Sequence, residues 1–220
     1  MTDPVRTWRA RRAWGRFVGA VYAGGAEREW IFRVAGRVLW GTDTRLLRRG
    51  IGELARLPSD VLILDAPCGS GVALAGLRAA GGPGYVGVDI SPAMVSRARR
   101  RAGPGSAARF ARADVRALPF ADGAFGGCLS YNGLHCLPDP GVAVAELARC
   151  LAPGGRLVGC CIVRKAGPRF DRMIALLRRF GVFGAVGTAS DVRGWFQEAG
   201  LRLDRFDRSG AVVHFVAVRR

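Results

Sequence analysis

From residue 61 onward the apolar positions gather into short runs, at 61–64, 85–88, 109–113, 127–130 and 157–163, each bounded by Gly, Pro or Asp. Runs of that length and boundary read as strands. The stretches between them read as helices. Ser91-Pro92 offers a start, because a serine can cap free N–H groups and a proline in the first turn loses nothing by lacking one. Gly103 offers a left-handed stop. Asp139-Pro140 repeats the start signal, and Pro153-Gly154-Gly155 closes that helix and turns into the fifth strand. Strands alternating with helices predict a parallel sheet covered on both faces, the doubly wound α/β class.

The two ends of the chain break this rhythm. Residues 1–57 read as helices and hold four of the five tryptophans, Trp8, Trp14, Trp30 and Trp40. Thr42 or Asp43 is placed to cap a helix whose Leu46, Leu47, Ile51, Leu54 and Leu57 share roughly one face. Further on, Phe170, Met173, Ile174, Leu177 and Phe180 follow a helical period, and another helix is expected over 190–199 with Gly200 as its stop. Residues 203–208 and 212–218 flank Ser209-Gly210 and read as a β-hairpin.

Candidate chemistry clusters after the strands. The first strand runs into Asp65-Ala66-Pro67-Cys68-Gly69-Ser70-Gly71, an acid followed by a glycine turn and a helix. Glycine lets a ligand approach the backbone closely, and exposed N–H groups at such a turn favour a polar or anionic group. Asp89 ends the second strand, where a carboxylate in a doubly wound fold can accept both hydroxyls of a ribose. A dinucleotide fingerprint would place a third glycine where Leu74 stands, which counts against a nicotinamide enzyme. Asp114 ends the third strand, where it can accept from an adenine amino group while the next backbone N–H donates to the ring. Two phrases follow: Leu118-Pro119-Phe120-Ala121-Asp122-Gly123, and a helix over Glu146 to Arg149 leading into Pro153-Gly154-Gly155.

In that order these elements resemble the class I S-adenosylmethionine-dependent methyltransferases, in the small-molecule branch similar to ubiquinone and menaquinone methyltransferases. The resemblance covers about residues 58–163. It implies a Rossmann-like, seven-stranded, mostly parallel sheet with an antiparallel last strand and S-adenosyl-L-methionine over the C-terminal ends of strands one to four. It further implies that Asp65, Ala66, Pro67, Cys68, Gly69 and Gly71 hold the methionine part, that Asp89 binds the ribose and Ile90 packs on the adenine, that Asp114 and Val115 bind the adenine edge, and that Asn132 sits beside the sulfur. The family's acid-x-Gly-x-Gly-x-Gly pattern is broken by Pro67, where proline fixes φ and removes an N–H.

Residues 58–220 are then expected to form the cofactor domain, with residues 1–57 as a helical cap of the same domain and about 167–187 as a lid insertion. Tyr22, Trp30 and Trp40 are the lid candidates. His135, after strand four, is the candidate general base, needed only when the acceptor enters protonated. A hydrogen-bonded, structural histidine is the competing reading, and His214 in the last strand is read as structural. Neither Cys68 nor Cys136 has a metal partner in spacing, and no metal is expected.

Composition changes this picture little. The chain has 220 residues, half of them apolar, with six cysteines and none in C-x-x-C spacing. That suits a reduced, cytoplasmic protein with one sizeable core. No run is long enough to span a membrane, and the arginine-studded start has no apolar stretch of a secretory signal. The net charge of +17 raises a nucleic-acid alternative, an RNA methyltransferase. Two observations weaken it. Lys165 is the sole lysine, and the basic residues are spread as 12, 10 and 12 over 1–60, 61–160 and 161–220. The sequence after strand four, Ser130-Tyr131-Asn132-Gly133, also lacks the Asn/Asp-Pro-Pro-aromatic element of base-modifying amino methyltransferases. The expected partner is a small, largely apolar, lipid-like acceptor, with peripheral membrane contact through the N-terminal Trp/Arg segment as a subsidiary expectation. A repurposed cofactor-binding protein without methyl transfer is the third alternative.

Overall fold

The computed structural model describes residues 29–43, 45–77 and 83–220. Their elements run α1 (Glu29–Trp40), α2 (Arg45–Leu54), β1 (Leu62–Asp65), α3 (Leu74–Leu77), β2 (Gly84–Asp89), α4 (Pro92–Ala102), β3 (Arg109–Arg112), β4 (Phe125–Tyr131), a 3-10 turn (Leu134–Cys136), α5 (Pro140–Cys150), β5 (Leu151–Ile162), α6 (Pro168–Arg179), α7 (Ala189–Glu198), β6 (Leu201–Ser209) and β7 (Val212–Arg219). Seven strands form one sheet in the order β3-β2-β1-β4-β5-β7-β6. The first five are mutually parallel, and β7 enters antiparallel between β5 and β6. The expected doubly wound sheet and closing hairpin are both present.

Two apolar layers sandwich the sheet. On one face Ile51 and Leu54 of α2 meet Leu74 and Leu77 of α3 over Ile63, Leu129 and Val158. On the other, Val144 and Leu147 of α5 and Val192 and Phe196 of α7 pack on Leu64, Cys128, Leu157 and Phe215. Reversal of strand order beside β1 leaves a crevice above the C-terminal ends of β1, β2 and β4, where such folds take ligands.

Several local expectations are refined. α4 starts at Ser91-Pro92 as expected, but the Ser91 hydroxyl does not cap it; the Ser91 N–H itself donates to Asp89 Oδ1 at 2.8 Å. Asp43 caps α2 by accepting from the Arg45 N–H at 2.9 Å, which leaves Thr42 to bond His214 Nε2 at 3.0 Å. Pro153-Gly154-Gly155 does not precede β5 but forms an irregularity inside it, because Leu151 already pairs with Phe125 before Arg156 pairs with Gly127. In α6 Phe170 and Ile174 turn inward, whereas Phe180 lies past the helix end and is exposed.

Candidate active site

The loop after β1 is sewn to both neighbouring strands. The Ala66 N–H donates to the Leu129 carbonyl at 3.0 Å, and the Cys68 N–H to the Val88 carbonyl at 2.8 Å. The Ala66–Pro67 peptide is cis. The Pro67 ring occupies space that Gly133 leaves open, since a Cβ on Gly133 would lie 2.4 Å from Pro67 Cγ. Gly69 and Gly71 adopt φ of 53° and 74°, the left-handed region that favours glycine. Gly71 is pressed against Ala98 of α4, whereas no atom lies within 4 Å of a Cβ built on Gly69. The loop therefore keeps its glycine path despite the proline. It does not present a row of free donors, however: the N–H groups of Cys68, Gly69 and Gly71 all donate within the protein. What it offers a ligand is the bare backbone face at Gly69.

The strand-end carboxylates differ in their surroundings. Asp89 accepts from Gly69 N–H through Oδ2 at 3.0 Å and from Ser91 N–H through Oδ1, so one carboxylate ties the β1 loop to the start of α4. With about four acceptor positions, a carboxylate can hold a loop and further donors together. Asp65 turns the other way. It is buried and accepts from the Tyr85 hydroxyl at 2.6 Å. Burial pushes its pKa up to about 7 against the opposing pull of Tyr85, and the nearby Asp89 adds to the rise. Asp114 is gripped by the Arg116 guanidinium, with Nη2 at 2.6 Å from Oδ2. Partial burial raises its pKa, but the Arg116 bonds and charge outweigh it and hold Asp114 below the usual carboxylate value. Val115 beside it is buried, and the Ile90 carbonyl accepts from Arg112 Nε at 3.2 Å.

Asn132 leaves β4 with φ of 52°, an uncommon conformation for a side-chain-bearing residue. Its N–H donates to the Cys160 carbonyl at 3.0 Å, and Cys160 Sγ donates to its Oδ1 at 3.5 Å. Burial raises the Cys136 and Cys160 thiols to about 12 and Cys68 higher, so none is a thiolate at neutral pH. Asp65, Asp89, Asp114 and Asn132 thus stand at the C-terminal ends of four adjacent strands, with the Gly69 loop between them.

His135 lies in the 3-10 turn beyond Asn132, buried, with its ring edge-on to Phe183 at 4.6 Å. Its Nδ1 lies 3.2 Å from the Ile162 N–H and accepts from it. That bond uses the Nδ1 lone pair, so Nε2 carries the proton in the neutral ring. Burial lowers the pKa from 6.5 to about 3, and the ring stays neutral across the physiological range. This geometry favours the structural reading over a general base: the unprotonated nitrogen is already committed to the backbone, and the other is a donor.

Around it the β5 end assembles an apolar wall. Cys160 and Ile162 meet Ile174 of α6 and Val186, with Trp40, Tyr131 and Phe183 packed against them. Trp40 and Phe183 lie 5.9 Å apart, so this lid candidate does meet the 167–187 segment. Trp30 falls on α1 with its side chain outside the described residues, and Tyr22, Trp8 and Trp14 lie outside them altogether.

Arg149 forms a further anchor. Arg149 donates to Asp122 at 2.6 Å, to Glu146 at 2.7 Å and to the Phe120 and Leu118 carbonyls, while Glu146 accepts from Leu118 N–H at 2.8 Å. The Leu-Pro-Phe phrase is thereby fastened to α5. Its legible signal is the Glu-x-x-Arg spacing, which puts both side chains on one helix face.

Residues 64–159 match the family model of a methyltransferase domain. A demethylmenaquinone methyltransferase of Thermus thermophilus is 43% identical over 121 residues, which cover 54% of this chain and 54% of that one. A 2-methyl-6-phytyl-1,4-hydroquinone methyltransferase of Synechocystis is 37% identical over 125 residues, 57% of this chain and 38% of its own length. The chain thus spans about half or less of these relatives. Among solved structures, geranyl diphosphate C-methyltransferase from Streptomyces coelicolor A3(2) superposes with a TM-score of 0.70 at 16% identity, over 80% of this chain and 79% of that one, a likeness of fold. The demethylmenaquinone methyltransferase of a Mycobacterium species extends the match furthest of these sequence relatives, at 32% identity over 73% of this chain and 72% of its own. On that likeness and the matching strand ends, the chain belongs to the class I S-adenosylmethionine-dependent methyltransferases, similar to the quinone methyltransferases.

Proposed function

We propose that this protein transfers a methyl group from S-adenosyl-L-methionine to a small, largely apolar, quinone-like acceptor. The observation that carries this reading is the convergence of four strand ends on the open face of Gly69, with Asp89 already fixed by two backbone donors. Those residues fit the cofactor. The bare backbone at Gly69 accepts close approach of a chain such as its methionine part, Asp89 suits a ribose diol, and Asp114 with Val115 suits an adenine edge. When bound, the cofactor supplies an activated methyl carbon on sulfur. The protein's own share is orientation: it holds the acceptor in line with that carbon and keeps water out. The apolar wall of Trp40, Ile174, Phe183 and Val186 suits a hydrophobic acceptor, and the relatives' names supply the quinone class. His135, as a neutral donor at the edge of that wall, suits an oxygen on the acceptor.

Residues 58–220 serve as the cofactor domain on this reading, with residues 1–57 as cap and 167–187 as lid. A cytoplasmic location agrees with six cysteines free of disulfides and with the lack, among described residues, of any helix long and apolar enough to cross a membrane.

Two measurements test the proposal. S-adenosylhomocysteine at about 100-fold its dissociation constant should raise unfolding free energy by about 2.7 kcal/mol. Labelled methyl should then pass to demethylmenaquinone, the acceptor class named for the Thermus relative. No thermal shift would sink the cofactor reading. A shift without transfer to any quinone would leave a cofactor-binding protein of another purpose.

A further inference from the structure

The helices that contribute Trp40 and Ile174 to the apolar wall also show exposed apolar side chains among the described residues. α1 and α6 meet at one corner: a Cβ on Gly41 would lie 3.2 Å from the Phe170 ring, and Ile174 shares a cluster with Trp40. Outward from this corner α1 shows Val34 and Val38, one turn apart, and Leu39, exposed by 54%, 64% and 48%. α6 shows Leu176, 48% exposed, between Arg172 and Arg179 at the spacing that puts all three on one stripe. Among the described residues of the two helices, Arg37, Arg169, Arg172, Arg178 and Arg179 are exposed. Residues 34–40 contain no acid. In α6 the one acid, Asp171, is partly buried, and its Oδ1 accepts from the Lys165 N–H.

We infer that α1 and α6 form an interfacial docking face for a bilayer bearing anionic headgroups. Valine and leucine side chains amid arginines suit the boundary between acyl chains and phosphates, where the aliphatic groups leave water and the guanidinium groups stay at the headgroups. Charge complementarity selects this occupant. A second copy meeting the same face about a two-fold axis would set arginine against arginine, and a nucleic acid would leave the apolar side chains unused. Such docking would hold the apolar wall, to which these helices give Trp40 and Ile174, beside the phase in which a lipid-like acceptor dissolves. It goes beyond the proposed activity and does not depend on which quinone is used.

Co-sedimentation of the full chain with phosphatidylcholine vesicles, with and without phosphatidylglycerol, tests the inference. Binding should require phosphatidylglycerol and weaken with salt. Arg172→Gln with Arg179→Gln should lower vesicle affinity roughly 25-fold, taking each cation near an anionic surface at its usual worth. Val38→Ser with Leu176→Ser should also weaken it. The control pair Arg99→Gln and Arg100→Gln, on α4 beside the β3 edge, should change affinity less than about twofold on the same scale. Failure of the wild-type chain to bind phosphatidylglycerol vesicles overturns the inference. So does an equal loss in the control pair, which would mean diffuse attraction by net charge. Release of a dimer in light scattering by Val38→Ser and Leu176→Ser, with vesicle affinity unchanged, would assign the face to a second copy and overturn it as well. The S-adenosylhomocysteine shift is measured on every variant, so a failed cofactor fold is told apart from a failed docking face.

Discussion

The two halves of the crevice are built by different means. On the β1–β4 side, backbone N–H groups and carboxylates set the shape: Asp89 ties Gly69 to Ser91, and the Ala66 and Cys68 N–H groups join the neighbouring strands. At the β5 end, side chains from distant segments pack into a buried cluster, with Trp40, Ile174, Phe183 and Val186 arriving from α1, α6 and the connection to α7. A backbone framework tolerates few substitutions and gives one geometry. A wall of side chains can be refitted to a new ligand by changing a few residues. On the proposed reading, the first half would serve the cofactor and the second the acceptor.

The largest expected effect breaks the framework. Asp89→Ala removes two charge-assisted bonds worth about 1.5–3 kcal/mol each and should weaken S-adenosylhomocysteine binding at least about tenfold by calorimetry. Unchanged affinity would move the cofactor elsewhere. Next comes a difference in the sign of pH dependence. Asp65 has its pKa raised from 3.8 to about 7, so the folded state holds an extra proton between those values and loses stability as pH rises through them. His214 has its pKa lowered from 6.5 to about 4 by burial, so its contribution is complete above 6.5 and is lost as pH falls toward 4. Each is on the order of 3 kcal/mol. Asp65→Asn should therefore stabilise the protein at pH 8 but not at pH 4, and His214→Gln should flatten the acid limb, both read by urea denaturation. The same slope in variant and wild type would count against these assignments.

On the acceptor side, Trp40→Ala or Phe183→Ala should lower kcat/KM for the quinone by about tenfold, the scale of one partly buried aromatic, while leaving cofactor affinity within twofold. Equal loss of both would erase the distinction between the halves. The smallest effect concerns His135: kcat should show no limb near the ordinary histidine pKa, and His135→Gln should alter KM more than the shape of the pH profile. A limb near pH 6.5 abolished by that variant would restore the base.

The same division explains what could be read from sequence. Asp65, Asp89, Asp114 and the Gly69–Gly71 turn were legible because backbone geometry at strand ends demands acids and glycines at fixed places. Even there, the direction of Asp65 toward Tyr85 was not, since it depends on a tyrosine 20 residues away in the chain. Ser91-Pro92 marks the start of α4 correctly, but the bond that fixes it, from the Ser91 N–H to Asp89, depends on a strand-end acid and not on the serine hydroxyl. For His135 both a base and a hydrogen-bonded structural role are open from sequence, because its partner is Ile162, a residue of the next strand that no local pattern links to it. Trp40 could be placed in a lid, but its meeting with Phe183 depends on tertiary docking of α1.

The contact between Pro67 and Gly133 carries an evolutionary consequence. The ring stands where the family's pattern has glycine, and the opposite loop has a glycine where any Cβ would collide with that ring. The two positions, 66 residues apart, share one volume, so the pair should behave as one heritable unit. Gly133→Ala alone should be poorly tolerated, and the same change should become neutral once Pro67→Gly has vacated the space. Variation at position 133 is therefore open to descendants of this chain only after position 67 has changed first.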